Sequence, residues 1–250
     1  MRELLKFVPT LAIAFFVVTT LGGQAAMAGD DNYAEYKRGL TAYQQGDFDG
    51  ALAIWQPLAD RGYPAAQFNI GMLYQNGVGV DRDLTTANAY FADAVDRDFA
   101  PAQLELGEAY LEGHGIDQNI DRAVSLMVMA ADQGYAQAQY EVGLLYREGD
   151  VISRDHVRAL EYFLLAAEQG DAEAQYHAGF MYGSGYGAPQ DFALAYMYYD
   201  LASQTLAISN KARDHLAEYM TPEEMAEAQA LLTAHRTTGS TGQDLAASTQ

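Results

Sequence analysis

The sequence predicts an all-α protein built from stacked helix-turn-helix repeats and closed by two further helices at its C-terminal end. Three observations carry this prediction. Five residue columns recur at intervals of 36, each interval holds two apolar stripes of helical period, and glycine and helix-capping side chains punctuate the gaps between the stripes.

The columns set the register. Gly71, Gly107, Gly143 and Gly179 are each 36 apart, as are Tyr74, Tyr110, Tyr146 and Tyr182, and Gly77, Gly113, Gly149 and Gly185. The same interval links Gln67, Gln103, Gln139 and Gln175, and Ala87, Ala123, Ala159 and Ala195. A periodic sequence makes its punctuation resemble active-site chemistry. The segment Gly113-His114-Gly115 reads in isolation as a phosphate cradle or a metal site. Gly113 belongs to a column, however, and His114 stands where Val78, Asp150 and Tyr186 stand in other repeats. The loop is a repeat's turn with a variable tip.

In chain order the first element is a leader. Arg2 and Lys6 precede the apolar run Phe7 to Leu21, and small residues follow to Ala26-Met27-Ala28, an A-x-A cleavage pattern. Residues 1–28 are expected to be a cleaved signal peptide, leaving a mature chain that starts near Gly29 without a stable membrane anchor. The competing reading is an uncleaved anchor, since Leu4 to Ala28 is just long enough to span a bilayer. Pro9 and the fit to the cleavage pattern speak against it. The chain carries 34 acidic and 14 basic residues, a net charge of −20 that becomes −21 without the leader. Such a chain repels nucleic acid and anionic lipid. Its acidity either keeps an exported protein soluble or attracts a basic partner. The absence of cysteine excludes a disulfide scaffold, a thiol nucleophile, a thiolate metal site and a lipidated N-terminal cysteine. The expected location is outside the cytoplasm, in the periplasm, with secretion as the alternative.

Residues 29–206 are expected to hold five repeats, at about 36–62, 66–98, 102–134, 138–170 and 174–206. In the second, Ala66, Ile70, Leu73 and Tyr74 mark one helical stripe, helix A, while Ala87, Tyr90, Phe91, Ala94 and Val95 mark another, helix B. Gly77 and its equivalents follow the last apolar residue of helix A, where a left-handed residue ends a helix at least steric cost in glycine. Six residues on, Asp83, Asn119, Asp155 and Asp191 are placed to cap the free N–H groups that open helix B. Gly71 and its equivalents fall mid-helix, where glycine costs about 1 kcal/mol relative to alanine. Close approach of helices A and B, with small partners at Ala66, Ala87 and Ala94, is the expected compensation. The first repeat aligns Tyr43 and Gly46 at an offset of 31 but Asp47, Ala51 and Trp55 at 36, so its A–B loop is five residues shorter.

Residues 207–236 are expected to form capping helices that cover the apolar face of the last repeat, as an open-ended stack requires. One runs from about Ile208 to Tyr219. The other is opened by Thr221-Pro222-Glu223-Glu224, with an N-cap, a proline at N1 and a capping-box glutamate, and runs to about His235. Residues 237–250 lack apolar periodicity and are expected to be a disordered tail.

These columns resemble Sel1-like repeats, the 36-residue relatives of tetratricopeptide repeats. The resemblance is carried by stretches such as "PAQLELGEAYLEGHGIDQNIDRAVSLMVMAADQG" and "AQYEVGLLYREGDVISRDHVRALEYFLLAAEQG" and covers residues from about 36 to 206. Departures are local: Val151 replaces the second loop glycine of the fourth repeat, and Asp98 and Leu206 replace the glycine that closes helix B. The resemblance implies an exported bacterial member of a family of right-handed α/α solenoids whose concave surface binds other proteins. Some exported members look like regulators of membrane sensor kinases, and others are similar to secreted factors that contact host proteins. A cysteine-rich branch is associated with β-lactam binding or hydrolysis, and this chain lacks that branch's defining residue.

The residue inventory offers no G-x-S-x-G elbow, H-E-x-x-H or G-x-x-x-x-G-K-[ST] motif. His114, His156, His177, His215 and His235 share no i, i+3 or i+4 spacing, so no metal cluster is expected. No cofactor is expected either. The tyrosine column is expected in the core, whereas Tyr196, Tyr198 and Tyr199 cannot all face inward on one stripe, leaving packing on the C-terminal helices or partner contact open.

In related solenoids helix A lines the concave side. Its positions 69, 72 and 76 share one face at i, i+3 and i+7 and vary between repeats: Asn69, Met72, Asn76; Glu105, Glu108, Glu112; Glu141, Leu144, Glu148; and His177, Phe180, Ser184. They are the candidate partner-binding residues, a groove with an acidic centre and apolar spots, set against the alternative of an idle solvated face. The composition suits a protein segment carrying Lys or Arg beside one or two apolar anchors. The expected function is thus a non-catalytic adaptor or regulator in the cell envelope. A periplasmic negative regulator of a sensor kinase is one alternative, and an envelope hydrolase acting on β-lactam or cell-wall substrates is the alternative of another class.

Overall fold

The computed structural model describes residues 31–238, where the secondary structure is twelve α-helices with no strand among the described residues. The predicted signal peptide and the tail from residue 239 onward lie outside the described residues.

The chain divides after Ala130 into two compact units. In the N-terminal unit α1 (Asp31–Gln44) packs on α2 (Phe48–Asp60), and α3 (Pro64–Asn76) on α4 (Leu84–Val95). α5 (Ala100–Glu112) shares a core with the part of α6 (Ile120–Asp132) that lies in this unit, joining Leu106 and Tyr110 to Ala123 and Leu126. In the C-terminal unit α7 (Ala136–Glu148) packs on α8 (His156–Glu168), and α9 (Ala172–Ser184) on α10 (Phe192–Ala202). α11 (Ala207–Ala217) and α12 (Pro222–Thr238) both pack on α10. The fold class is the all-α helical-repeat class read from the sequence. α1 starts five residues before the expected position because Tyr33 joins Tyr36 and Leu40 on the same core.

The mid-helix glycines form notches, and what fills them is large. A Cβ on Gly71 would lie 2.5 Å from the Phe91 ring, one on Gly107 2.7 Å from Met127 Cγ, one on Gly143 2.7 Å from the Phe163 ring and one on Gly179 2.9 Å from the Tyr199 ring. In the first repeat Gly39 takes the Trp55 ring in the same way. The filling residues are themselves 36 apart and all buried. Helix A therefore gives up a side chain so that helix B can bury a ring or a methionine, and the expected close approach is there as well: the Ala87, Ala123 and Ala195 carbonyls lie 3.1–3.2 Å from the Cβ positions of Gly71, Gly107 and Gly179.

The loops close by hydrogen bonds that repeat with the same period. Gly77, Gly113, Gly149 and Gly185 end helix A in the left-handed region at φ between 66° and 74°. The N–H groups of Asp83, Asn119, Asp155 and Asp191 then donate to the carbonyls of Tyr74, Tyr110, Tyr146 and Tyr182 at 2.9–3.0 Å. Their side chains cap helix B, accepting from Thr85, Arg122, Val157 and Leu194 N–H respectively, and Asp47 does so from Gly50. Asp98 occupies the glycine column that closes helix B and adopts φ 55°, whereas Leu206 at −111° does not, because the chain there leaves the repeat to start α11.

At three positions the glutamine column ties helix A to the end of the preceding helix B. Gln67, Gln139 and Gln175 are buried and donate through Nε2 to the carbonyls of Ala59, Ala131 and Ala167 at 3.1–3.2 Å. These carbonyls also accept from the N–H groups of Gly62, Gly134 and Gly170 at 2.8–3.0 Å, so the glutamine occupies a second lone pair at the end of helix B. The tyrosine column is less deeply placed than expected. Tyr110 and Tyr182 are buried, while Tyr43, Tyr74 and Tyr146 are half-buried, and Tyr74, Tyr146 and Tyr182 stack on Tyr90, Tyr162 and Tyr198 at 5.8–6.1 Å.

The terminal helices follow their sequence signals. Thr221 and Glu224 cap each other reciprocally, with Thr221 N donating to Glu224 Oε2 at 2.7 Å and Glu224 N to Thr221 Oγ1 at 3.2 Å. Leu216, Leu231 and Leu232 join the core that holds Tyr198 and half-buried Tyr196, while Tyr199 is buried over Gly179. Packing against the repeat and its capping helices thus accounts for all three tyrosines.

Substituting a notch glycine separates packing from propensity. Gly143→Ala is expected to lower stability by about 1–3 kcal/mol, the usual cost of overpacking, where propensity alone would give a gain of about 1 kcal/mol. Urea denaturation measures the sign; a rise in midpoint would mean that Phe163 yields without cost.

Candidate functional site

Three of the four helix A residues at the first variable position, Asn69, Glu105 and His177, are engaged by a neighbouring helix. Asn69 is 5% exposed and its Nδ2 donates to the Tyr36 hydroxyl of α1 at 3.0 Å. Glu105 of α5 accepts from Gln75 Nε2 of α3 at 3.0 Å. His177 of α9 accepts through Nδ1 from Arg147 of α7 at 2.6 Å, and its ring stacks with Tyr140 and Phe163 at 5.8 and 5.1 Å. These are seam contacts between one helix A and the one before it. The position varies because each residue is matched to a different neighbour, Asn to Tyr, Glu to Gln, His to Arg. The expected groove is corrected to this extent: Asn69 is structural, and Glu105 and His177 have part of their polar capacity engaged in the seam.

At the other two positions the side chains range from half-buried to exposed. In the N-terminal unit Met72 is half-buried against the core, Asn76 is exposed and donates to the Met72 carbonyl at 2.9 Å, Glu108 is half-buried, and exposed Glu112 lies 3.1 Å from His114 Nδ1. In the C-terminal unit Leu144 is half-buried, Glu148 pairs with Arg147 at 3.3 Å, and Ser184 is exposed. Phe180 is 40% exposed. Its ring lies 6.1 Å from that of Tyr186, which is 45% exposed and stacked on His156 at 4.9 Å. Tyr186 was missed in the sequence because loop-tip positions carry no periodic signal.

Burial and like charge dominate the electrostatics of this face. Glu105 is held above the usual carboxylate range by burial, partly countered by the hydrogen bond from Gln75. Glu141 is pushed up to about 7, first by burial and then by the charges of Asp171 and Glu148. Asp171 and Glu173 are raised by burial as well, Glu173 further by Asp171. His177 is pushed down to about 4, first by burial and then by the Arg147 guanidinium, so its ring is neutral and free to accept from that residue.

The Gly113-His114-Gly115 loop is a docking tip. His114 O accepts from Asn88 Nδ2 at 2.7 Å, and Gly115 rests on Leu84, where a Cβ would fall 2.6 Å from that residue's own Cβ. Among the described residues no group of three or more His, Cys, Asp or Glu is arranged to hold a metal ion, and no helix is long and apolar enough to cross a membrane. A cavity of about 660 Å³ near the C-terminal ends of α2 and α4, lined by Gln56, Asp60, Tyr90, Asp93 and Arg97 among others, contains none of the twelve candidate residues.

Paired antiparallel helices with a periodic glycine notch and a variable helix A face define a helical-repeat protein of the interaction-scaffold class. The Sel1 repeat family matches residues 64–98, 100–135, 136–171 and 172–204, more than half of the chain, and the chain belongs to that family. Proteins of this family mediate protein–protein interaction. Among solved structures the chain is similar to a Sel1 repeat protein from Oxalobacter formigenes, at 30% identity and a TM-score of 0.62 over 80% of this chain and 75% of that one. It is also similar to a protective antigen of uropathogenic Escherichia coli strains displaying an SLR fold, at 32% identity and a TM-score of 0.64 over 73% of this chain and 40% of that one. Among curated proteins, the DAP3-binding cell death enhancer 1 of Rattus norvegicus is 41% identical over 49 residues, 20% of this chain and 10% of that relative's length.

The two perturbed groups give opposite pH slopes. Glu141 is raised above its ordinary 4.5, so its share of stability is full below that value and is lost as pH rises through about 7. His177 is lowered from 6.5, so its share is full above that value and is lost as pH falls through about 4. Glu141→Gln is therefore expected to raise the urea midpoint relative to the parent chain at pH 8, with the gain shrinking towards pH 4. An equal difference at both pH values would show that ionisation of Glu141 is not what costs stability.

Proposed function

We propose that the chain is an exported adaptor or regulator of the bacterial cell envelope, resident in the periplasm, that binds a partner protein through the open helix A positions of its repeats. The carrying observation is that these positions combine carboxylates with exposed or half-exposed apolar side chains on rigid helices: Met72, Glu108 and Glu112 in one unit, Leu144, Glu148 and Phe180 in the other. Family membership supports protein binding as the class of function. The leader pattern of residues 1–28 supports export, and the acidity of the chain supports a partner surface bearing Lys or Arg. The mechanism is occupancy: helices already packed on their notches present the face with little ordering cost on binding.

Affinity capture from an envelope extract tests this reading. The wild-type chain is expected to retain a partner whose recovery falls at least severalfold with the double variant Glu108→Lys, Glu112→Lys. Unchanged recovery would remove the acidic face as the contact surface. Saturable turnover of a β-lactam or cell-wall substrate by the purified chain, lost on a single substitution, would replace the adaptor with a hydrolase.

A further inference from the structure

In the C-terminal unit the helix A face has an order along its helices, with charge at one end and apolar surface at the other. Glu141 lies in the first half of α7, while Asp171 is the N-cap of α9, accepting from Ala174 N at 2.8 Å, and Glu173 stands in the first turn. All three carboxyls are held above their ordinary range, in each case first by burial. Arg147, the cation on this face, is already committed to His177 at 2.6 Å and to Glu148 at 3.3 Å. Among the described residues no Lys or Arg nitrogen lies within ion-pair distance of Glu141, Asp171 or Glu173. The N-terminal end of this face thus gathers three carboxyl groups, Glu141 and Asp171 half-buried and Glu173 exposed, with no basic side chain among the described residues placed against them. At the other end Phe180 and Tyr186 expose 40% and 45% of their surface beside half-buried Leu144.

The distance between the two ends sets a spacing. Glu173 and Phe180 are seven residues apart on one helix face, about 10 Å at 1.5 Å per residue. A polyproline II segment covers that distance in one turn of three residues at about 3.1 Å each, which returns the side chains at its two ends to the same face. A second copy of this chain, itself at net charge −20, is a poor occupant for an anionic surface.

Building on the adaptor reading, we propose that this face binds a protein segment in polyproline II conformation in which a lysine or arginine and a large apolar residue stand three positions apart. The cation lies among Glu141, Asp171 and Glu173, and the apolar side chain lies on Phe180 and Tyr186. The carboxyl groups gain a counter-charge, and the two exposed rings are covered in the same event.

Fluorescence anisotropy with labelled serine-rich peptides and the purified chain tests the spacing. Peptides carrying Lys-Ser-Ser-Phe, or the reversed Phe-Ser-Ser-Lys, are expected to bind about tenfold more tightly than peptides with Gln for Lys, Ser for Phe, or Lys and Phe adjacent. Glu173→Lys and Phe180→Ser are each expected to remove about tenfold of that affinity, while Glu108→Lys in the other unit changes it by less than about twofold. Urea midpoints show that the variants remain folded. Equal binding of the adjacent and spaced peptides, an inert Glu173→Lys and Phe180→Ser, or no peptide binding at all overturns the proposal. If partner capture still responds to Glu108→Lys, Glu112→Lys in that case, the adaptor reading stands and only the two-point recognition falls; if capture fails as well, both fall.

Discussion

Each repeat depends on a hole in helix A. A glycine at the centre of that helix leaves room for a ring or a methionine from helix B, and the filling side chain reaches the helix backbone itself: the Gly71 and Gly107 positions also lie 3.2 Å, measured from an added Cβ, from the carbonyls of Ala87 and Ala123. Glycine mid-helix costs about 1 kcal/mol, whereas full burial of a large apolar side chain is worth roughly 1.5–3 kcal/mol. The balance favours the notch in every repeat. It also fixes the depth and register at which helix B lies on helix A, because a ring seated in a single-residue gap cannot slide along the helix.

With the pair locked, the loop has little freedom left. The left-handed glycine reverses the chain, the N–H of the next capping residue returns to the tyrosine carbonyl, and the capping side chain opens helix B. A buried glutamine then joins the end of one repeat to the start of the next by adding a second hydrogen bond to a last-turn carbonyl. These contacts are short-range in sequence and identical in type, which is why a 36-residue period survives while the residues between the columns drift. The second loop glycine belongs to the same scheme: Gly115 lies on Leu84 and Gly187 on the His156 carbonyl, so a side chain at either position would lift the tip from the neighbouring helix.

The proposed partner contact falls to what the columns leave unconstrained. Helix A spends one face on helix B and part of another on the preceding helix A, so the surface that remains is narrow and lies towards the second half of the helix. There the side chains range from Met72 and Leu144 to Glu112 and Ser184. In the C-terminal unit the seam uses the local cation: Arg147 turns towards His177 and Glu148, and nearby carboxylates are left to one another. Packing within the fold thereby shapes the electrostatics of the face offered to a partner.

The sequence by itself determined the all-α repeat class, the helix pairs, the turns and the caps, because each depends on residues within one period and the chain repeats that period. Thr221 with Glu224, and Asp83 with its helix, behave as local chemistry demands. What only the tertiary structure decided is which variable residues are free. Asn69, Glu105 and His177 share a helical position and differ in identity, which in one dimension looks like absence of constraint. In three dimensions each meets a partner 30 or 33 residues away that varies along with it. The same holds for the raised carboxyl of Glu141, whose cause is burial together with charges on its own helix and on the next repeat's N-cap. Helical periodicity reports which way a side chain points; it carries no information about what the neighbouring repeat has placed opposite.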